Sequence, residues 1–185
     1  MSSLIELVDN SRTDKNTRHS YLDTYEKLLI SKKYTAKNIL EIGIGIGGSI
    51  KLWHDYFTNA DIYGLDIQYE NVYDEIKNKE RIILTCTDAY NENVFNTRFL
   101  HKTKYDMILD DGPHTLESMQ QCIRLYSQVL TDDGIMIIED VQDWDWIELL
   151  YISVPNYLKK YVEIYDLRTN KNRYDDILFV INKNK

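Results

Sequence analysis

The stretch "ILEIGIGIGGSIKLW" (residues 39–53) constrains the fold of this chain more than any other feature. An apolar run leads into four glycines and then into a helical segment, which predicts a strand, a tight turn and a helix. Gly43, Gly45 and Gly48 spell G-x-G-x-x-G, the pattern typical of a dinucleotide site. Read from Glu41, the same letters spell E-x-G-x-G-x-G, the form used for S-adenosylmethionine (SAM). The turn therefore predicts a nucleotide or nucleoside site and leaves the choice of ligand open.

Strand-like apolar runs recur along the whole chain, and most are followed by a helical or loop segment. Continuous runs such as "MILD" and "IMIIE" are typical of strands buried on both faces of a parallel sheet. The predicted strands are 38–43, 61–66, 81–86, 105–110, 134–139, 161–167 and 177–182. Helices are predicted at about 21–31, 49–57, 69–77, 93–99 and 116–129. This alternation predicts an α/β fold: a doubly wound, Rossmann-like sheet of seven strands with helices on both faces.

The end of the chain departs from the strand-helix alternation. The last two predicted strands are joined only by residues 168–176 ("RTNKNRYDD"), which are too few and too polar for a crossover helix. Two strands joined in this way pair antiparallel. A mostly parallel sheet with a C-terminal antiparallel hairpin is the architecture of class I methyltransferases rather than of dehydrogenases. We expect residues 1–185 to form one domain, with residues 1–37 as a helical lid over the cofactor mouth.

Acidic residues near the glycine turn favour SAM. A carboxylate at Glu41 would be repelled by a pyrophosphate and attracted by the SAM ammonium group. Asp66 closes the second strand, where an acidic residue accepts hydrogen bonds from the ribose diol that both ligands carry. Asp88 lies where methyltransferases place an acidic group near the adenine, although an Asx turn or helix cap explains it equally well. Tyr73 and Lys77 match the Y-x-x-x-K of short-chain dehydrogenases, but they precede the third strand, far from that motif's usual place.

A second group of acidic residues follows the fourth and fifth strands, in "MILDDGPHT" and "IMIIEDVQDWDW". Neighbouring parallel strands end side by side, so Asp111, Glu139 and Asp140 should converge beside the cofactor. Such carboxylates suit Mg²⁺ or Mn²⁺, which lowers the pKa of a bound hydroxyl. His114 is close enough to Asp111 to act as general base near neutral pH. The competing interpretation is a surface turn at "DDGP" and a strand end facing water at "ED".

Together these segments resemble the metal-dependent sugar O-methyltransferases of the macrocin and mycinamicin type, within the class I SAM-dependent superfamily. The resemblance covers "RTDKNTRHSYLDTYEKLL", "ILEIGIGIGGSIKLW", "IYGLDI", "LDDGPHT" and "GIMIIEDVQ". It implies methyl transfer to a sugar hydroxyl, with Asp111, Glu139 and Asp140 as metal ligands and with Asp111 and His114 as catalytic residues. It also implies that Ser49 faces the SAM carboxylate. The predicted cofactor contacts are Glu41, Gly43, Gly45, Gly47, Ser49, Asp66, Asp88 and Asp110.

Three further groups of side chains could serve the acceptor. Trp144 and Trp146 could stack on a sugar face or belong to the core. The basic residues of the last loop, which could hold a diphosphate or be solvated, are Arg168, Lys171 and Arg173. The polar N-terminal residues that could join the lid are Thr13, Asp14, Lys15 and His19.

Composition narrows the class of partner. The net charge of −8 disfavours nucleic acid, and no apolar run approaches the length of a membrane span. The start resembles no secretory signal, and two cysteines that look buried, Cys86 and Cys122, fit a reduced, cytoplasmic protein. We expect a small-molecule or glycan acceptor and a possible homo-oligomer. A catechol-type acceptor remains an alternative, as does a SAM-binding protein without methyl transfer, although the acidic cluster and His114 count against the latter.

Overall fold

The computed structural model describes residues 2–185, which contain a seven-stranded sheet in the order β3-β2-β1-β4-β5-β7-β6. The strands are β1 Asn38–Ile42, β2 Asp61–Asp66, β3 Ile82–Cys86, β4 Tyr105–Asp110, β5 Leu130–Ile138, β6 Val162–Asp166 and β7 Ile177–Asn182. Strands β1 to β5 pair in parallel, whereas β7 runs antiparallel to both β5 and β6. The predicted doubly wound sheet with a C-terminal antiparallel hairpin is therefore confirmed.

Helices connect the strands and precede β1. The α-helices are α1 Leu4–Leu7, α2 Leu22–Leu29, α3 Gly48–Tyr56, α4 Asp74–Lys77, α5 Glu92–Arg98, α6 Leu116–Tyr126, α7 Trp146–Ser153 and α8 Arg168–Lys171. Short 3₁₀ helices cover Ile30–Lys32, Ser127–Val129 and Asn156–Tyr161. Among residues 2–185, no helix combines the length and the apolar character needed to cross a lipid bilayer.

Several elements differ from the sequence prediction. Strand β5 begins at Leu130 rather than Gly134, because Leu130 pairs with Tyr105 before the register shifts by a bulge. Helix α4 begins at Asp74 rather than residue 69, because Tyr73 has an extended backbone with ψ 137°. Helix α7 and the four-residue helices α1 and α8 were not predicted. Cys122 is buried as expected, but Cys86 is exposed, because it lies on β3 at the edge of the sheet.

Alternation along the strands decides on which face of the sheet each polar side chain lies. Met107 and Leu109 of β4 pack with the α3 side of the core, which we call the α3 face. Ile108 packs with helix α6, on what we call the α6 face. The same parity holds in β5, where Ile137 belongs to the α3 face and Ile138 to the α6 face. Side chains at the ends of these strands are therefore sorted by odd and even numbers, except at Asp140, whose positive φ of 54° breaks the alternation.

The N-terminal residues pack against the α3 face. Tyr25, Leu28 and Leu29 of α2 are buried in the same hydrophobic cluster as Trp53 of α3. Residues 9–19, which we call the N-terminal segment, cross above the first turn of α3. A Cβ atom on Gly48 would lie 2.1 Å from the carbonyl oxygen of Arg12, so the segment can take this path only over a glycine.

Candidate active site

A cavity of about 900 Å³ lies at the carboxyl ends of β1, β2 and β4. The glycine turn forms one wall, residues 87–90 and 111–113 form others, and residues 10–14, 17 and 18 of the N-terminal segment close it from above. Gly43 has φ +80°, and a Cβ atom there would lie 2.0 Å from the carbonyl oxygen of Asp111. The turn after β1 therefore requires glycine, because it packs directly on the backbone that follows β4.

Five of the predicted cofactor residues line this cavity: Gly43, Gly45, Ser49, Asp66 and Asp88. Asp66 Oδ2 accepts a hydrogen bond from the Ile44 N–H at 2.9 Å, and a carboxylate oxygen has a second lone pair for a ligand. Asp88 Oδ1 accepts from the Tyr90 N–H at 3.0 Å. Asp88 therefore forms the local turn and lines the cavity at the same time, so its two interpretations are compatible.

Glu41 lies outside the cavity lining, so the structure does not bring it together with the five predicted cofactor residues that line the cavity. Its side chain is buried under α3, where Glu41 accepts hydrogen bonds from Ser49 Oγ at 2.6 Å and Trp53 Nε1 at 2.9 Å. Burial raises the pKa of Glu41 to about 7. Glu41 therefore fastens the first turns of α3 to β1. Gly47 also lies outside the lining and precedes α3 with φ +88°.

Asp110 is the third predicted cofactor residue that lies outside the cavity lining. Its even number directs the side chain to the α6 face, where it is buried and accepts a hydrogen bond from the Tyr90 hydroxyl at 2.5 Å. Burial raises the pKa of Asp110 to about 7. Asp110 therefore holds Tyr90, which does line the cavity, rather than bounding the cavity itself.

The residues after β4 and β5 converge as predicted. His114 Nε2 lies 3.6 Å from Asp111 Oδ1 and 3.6 Å from Asp140 Oδ2. One donor atom from each of these three residues lies within 4.8 Å of the others, a spacing that could hold a metal ion. His114 and Asp140 have φ angles of 52° and 54°, in the left-handed region that non-glycine residues seldom adopt. Such strained residues persist only where the surrounding structure holds them in place, and they are concentrated at functional sites.

Lys15 also belongs to this cluster, in a role that the sequence did not reveal. Its side chain is buried, and Nζ lies 2.6 Å from both Asp111 Oδ2 and Glu139 Oε2. Burial acts to lower the pKa of Lys15, but Asp111 and Glu139 outweigh it and raise the pKa well above its ordinary value. The ammonium group therefore stays charged between the two carboxylates.

Two tyrosines of the N-terminal region bind further carboxylate oxygens of Glu139 and Asp140. Tyr25 donates a hydrogen bond to Glu139 Oε1, and Tyr21 donates to Asp140 Oδ1. His19 Nδ1 lies 2.6 Å from the buried Asp176 and 3.3 Å from Asp140 Oδ1. Glu139 thus has both oxygens engaged within the protein. The only sequence signal for the tyrosines is their four-residue spacing, which places both on one face of α2 and its entry.

The predicted acceptor tryptophans and the basic residues of the last loop lie outside the cavity lining, whereas Thr13 and Asp14 belong to it. Trp144 is 47 % exposed, and the Arg168 guanidinium lies 5.3 Å from its ring centre. Trp146 is partly buried and packs on the α6 face, so it belongs to the core. Trp146 therefore matches the core alternative, whereas the ring of Trp144 does not belong to the core.

The basic residues of the last loop make contacts within the chain. Arg168 pairs with Asp166 at 2.7 Å, and Arg173 pairs with Asp175 at 2.5 Å. Lys171 Nζ donates to backbone carbonyls of the N-terminal segment, including that of His19 at 2.8 Å. These contacts favour a structural role for the loop over a diphosphate site.

The fold and the site together define a doubly wound α/β domain whose glycine-lined cavity adjoins a cluster of carboxylates and a histidine. The chain belongs to the family described as "Methyltransferase domain", whose model matches residues 33–177. The methyltransferase fold that the sequence predicted is therefore confirmed.

Sequence relatives and a solved structure resemble the chain further. It is 26 % identical over 136 residues to mycinamicin VI 2''-O-methyltransferase of Micromonospora griseorubida, covering 69 % of this chain and 33 % of the relative. It is 27 % identical over 143 residues to 8-demethyl-8-alpha-L-rhamnosyl tetracenomycin-C 2'-O-methyltransferase of Streptomyces olivaceus, covering 72 % and 36 %. MycE, solved with Mg, SAH and mycinamycin VI, matches with a TM-score of 0.76 at 21 % identity over 98 % of this chain and 54 % of MycE. The chain thus spans about a third of the length of the sequence relatives.

Proposed function

We propose that this chain transfers a methyl group from SAM to a hydroxyl of a sugar-bearing small molecule. The position of Asp111 carries the proposal. Asp111 lines the cavity together with Gly112 and Pro113, and it also belongs to the cluster with His114 and Asp140. A methyl donor in the cavity and a hydroxyl at the cluster would therefore meet at one residue.

The cavity suits SAM. The glycine turn lets a ligand approach the backbone, and the first turn of α3 offers free N–H groups to the SAM carboxylate. Asp66 and Asp88 both line the cavity, where Asp66 would accept hydrogen bonds from the ribose diol and Asp88 would lie near the adenine. Membership of a methyltransferase family and the SAH-bound fold neighbour support this cofactor.

The cluster suits a divalent cation. Asp111 Oδ1 and Asp140 Oδ2 are the carboxylate oxygens that face His114, and oxygen ligands are those that Mg²⁺ and Mn²⁺ prefer. These two residues would hold the ion, which when bound would supply positive charge that lowers the pKa of the acceptor hydroxyl. The predicted third ligand, Glu139, has both oxygens engaged by Lys15 and Tyr25.

His114 would act as the general base. The imidazole is partly exposed, within reach of a hydroxyl at the cluster, and the two carboxylates beside it stabilise the positive charge that it gains with the proton. The acceptor oxygen then forms a bond to the methyl carbon of SAM while the bond from that carbon to sulfur breaks. SAH and the methylated acceptor are the products.

Relatives favour a sugar as the acceptor. One is named for a rhamnosyl tetracenomycin, and the fold neighbour was solved with mycinamycin VI. The exposed ring of Trp144 lies four positions after Asp140, where it could stack on a sugar face. A catechol, with two adjacent hydroxyls, is the competing acceptor class.

Incorporation of labelled methyl groups from SAM tests the proposal. Purified protein is incubated with glycosides, nucleotide-sugars and catechols, with and without EDTA, and products are identified by mass spectrometry. We expect methylation of a glycoside that EDTA abolishes and Mg²⁺ or Mn²⁺ restores. Asp111→Asn and Asp140→Asn should abolish it too, whereas Asp132→Asn, on an exposed carboxylate at the start of β5, should not.

Three results would contradict parts of the proposal separately. Calorimetry that detects no SAM or SAH binding would exclude the cofactor. Turnover that survives EDTA would exclude the cation. Methylation of catechols alone would replace the acceptor class while leaving the cofactor and the site in place.

A further inference from the structure

The acidic cluster consists of Asp111, Glu139 and Asp140. Its carboxylate oxygens fall into two groups: inner oxygens, which N-terminal residues bind, and outer oxygens, which face His114. The inner ones are bound by N-terminal residues: Asp111 Oδ2 and Glu139 Oε2 by Lys15, Glu139 Oε1 by Tyr25 and Asp140 Oδ1 by Tyr21. The outer ones, Asp111 Oδ1 and Asp140 Oδ2, each lie 3.6 Å from His114 Nε2. Asp111 and Asp140 therefore keep one outer oxygen each, and Glu139 keeps none.

From this division we infer that Lys15 is a built-in cation of the cluster, which competes with a divalent cation for Glu139 and for the inner oxygen of Asp111. The inference rests on the proposed function only in that a divalent cation binds at this cluster. Lys15 acts as a positioning residue, since it would set which carboxylates are available and would not contact the reacting atoms.

Electrostatics supports competition rather than cooperation. An ammonium group at 2.6 Å from two carboxylates neutralises part of their charge and repels a divalent cation that approaches the same oxygens. The repulsion is strong because the side chain of Lys15 is only 2 % exposed, so water screens it little. The lysine thereby limits the ion to the two outer oxygens and leaves coordination positions free for water or an acceptor.

The position of Lys15 in the chain also links the cofactor cavity to the cation site. Lys15 belongs to the N-terminal segment, whose residues 10–14, 17 and 18 close the cofactor cavity. The ammonium group therefore joins this roof to the acidic cluster. Neutralising Lys15 should alter the cation site without removing any proposed ligand.

Titration of the full chain with Mn²⁺ in the presence of SAH tests the inference, with free Mn²⁺ measured by electron paramagnetic resonance. We expect Lys15→Met to bind Mn²⁺ at least about tenfold more tightly than the parent protein, because it removes the competing charge and releases Glu139. Glu139→Gln alone should weaken Mn²⁺ binding, because the charge of Lys15 is then no longer balanced by Glu139. Adding Glu139→Gln to Lys15→Met should remove most of the gain.

Lys32→Met is the matched control. Lys32 is also buried, and its Nζ pairs with Asp133 at 2.8 Å near the start of β5, whereas the cluster follows the end of that strand. Its loss should leave the Mn²⁺ affinity unchanged. Circular dichroism and SAH binding verify that each variant is folded.

The outcomes separate this inference from the proposed function. Unchanged or weaker Mn²⁺ binding in Lys15→Met overturns the inference while the proposed cation site stands. Unchanged or tighter binding in Glu139→Gln also overturns it, since the ion would then not sense the charge of Lys15. Lys15→Gln, which keeps a neutral polar group between the two carboxylates, decides the matter if Lys15→Met does not fold. Binding by Lys15→Met but not by the parent supports the inference and removes the cation from the proposed function. Binding by neither overturns both.

Discussion

His114 Nε2 lies 3.6 Å from Asp140 Oδ2, although the two residues follow different strands and both have left-handed backbones. The two loops are brought together because β4 and β5 are adjacent and parallel, with Asp110 paired to Ile138. The unusual φ angles turn both side chains toward a common point. The contact thus depends on the sheet for proximity and on two strained residues for direction.

His114→Ala should reduce methyl transfer by roughly 10²- to 10⁴-fold, because it removes the proposed base. SAH affinity, measured by calorimetry, should stay the same, since His114 does not line the cofactor cavity. His101→Ala is the control, because His101 is exposed in the turn before β4 and also has a positive φ. Full activity of the His114 variant would show that another group takes the proton.

Asp66→Ala should weaken SAH binding by roughly 10- to 150-fold, the usual effect of losing a hydrogen bond to a charged group. The variant also loses the carboxylate that accepts from the Ile44 N–H and so loosens the glycine turn. Asp61→Ala, at the opposite end of β2, should bind SAH normally. Calorimetry that finds the two variants equal would mean that the ribose binds elsewhere.

Glu41 should make stability depend on pH. Because burial raises its pKa from 4.5 to about 7, the folded protein holds a proton that the unfolded chain releases between these values. The contribution of Glu41 is therefore full at low pH and is lost as the pH rises through about 7. Relative to Glu41→Gln, the parent protein should be more stable at about pH 5 than at about pH 8 by roughly 2–3 kcal/mol.

Urea denaturation at the two pH values measures this difference. Glu80→Gln, which changes an exposed carboxylate, should show no such dependence. A difference between parent and Glu41→Gln that does not change with pH would mean that Glu41 stays ionised in the fold, balanced by charge from Lys15.

Gly48→Ala should loosen the N-terminal segment. The position is helical and suits alanine, but the new Cβ would lie 2.1 Å from the carbonyl oxygen of Arg12, and overpacking of this kind costs roughly 1–3 kcal/mol. Limited proteolysis between residues 9 and 19 should accelerate by roughly 5- to 100-fold. Cleavage at the parent rate would show that the segment adjusts without leaving its place.

The sequence by itself determined the sheet and the edge at which the site lies. Apolar runs identified all seven strands, most plainly β4 and β5, whose continuous apolar ends are buried on both faces of the sheet. The glycine turn and the short last loop specified the first crossover and the antiparallel hairpin, since both depend on local backbone chemistry. Asp111, His114 and Asp140 could be predicted as neighbours because parallel strands that lie side by side end at the same edge.

Strand alternation also determines on which face of the sheet each acidic side chain lies, but the residue type by itself does not indicate the face. Glu41 was expected beside the cofactor from its charge, but strand alternation directs it under α3. The same alternation separates Asp110 from Asp111, so that only the second reaches the cluster.

Only the tertiary structure decided which groups surround the acidic cluster. Lys15 and Glu139 are separated by 124 positions, and Tyr25 and Glu139 by 114. No local pattern indicates such a pairing, because it depends on how α2 and the segment before it pack across the α3 face. That packing brings a buried ammonium group and two tyrosine hydroxyls to the inner carboxylate oxygens, and it leaves only the outer oxygens of Asp111 and Asp140 facing His114.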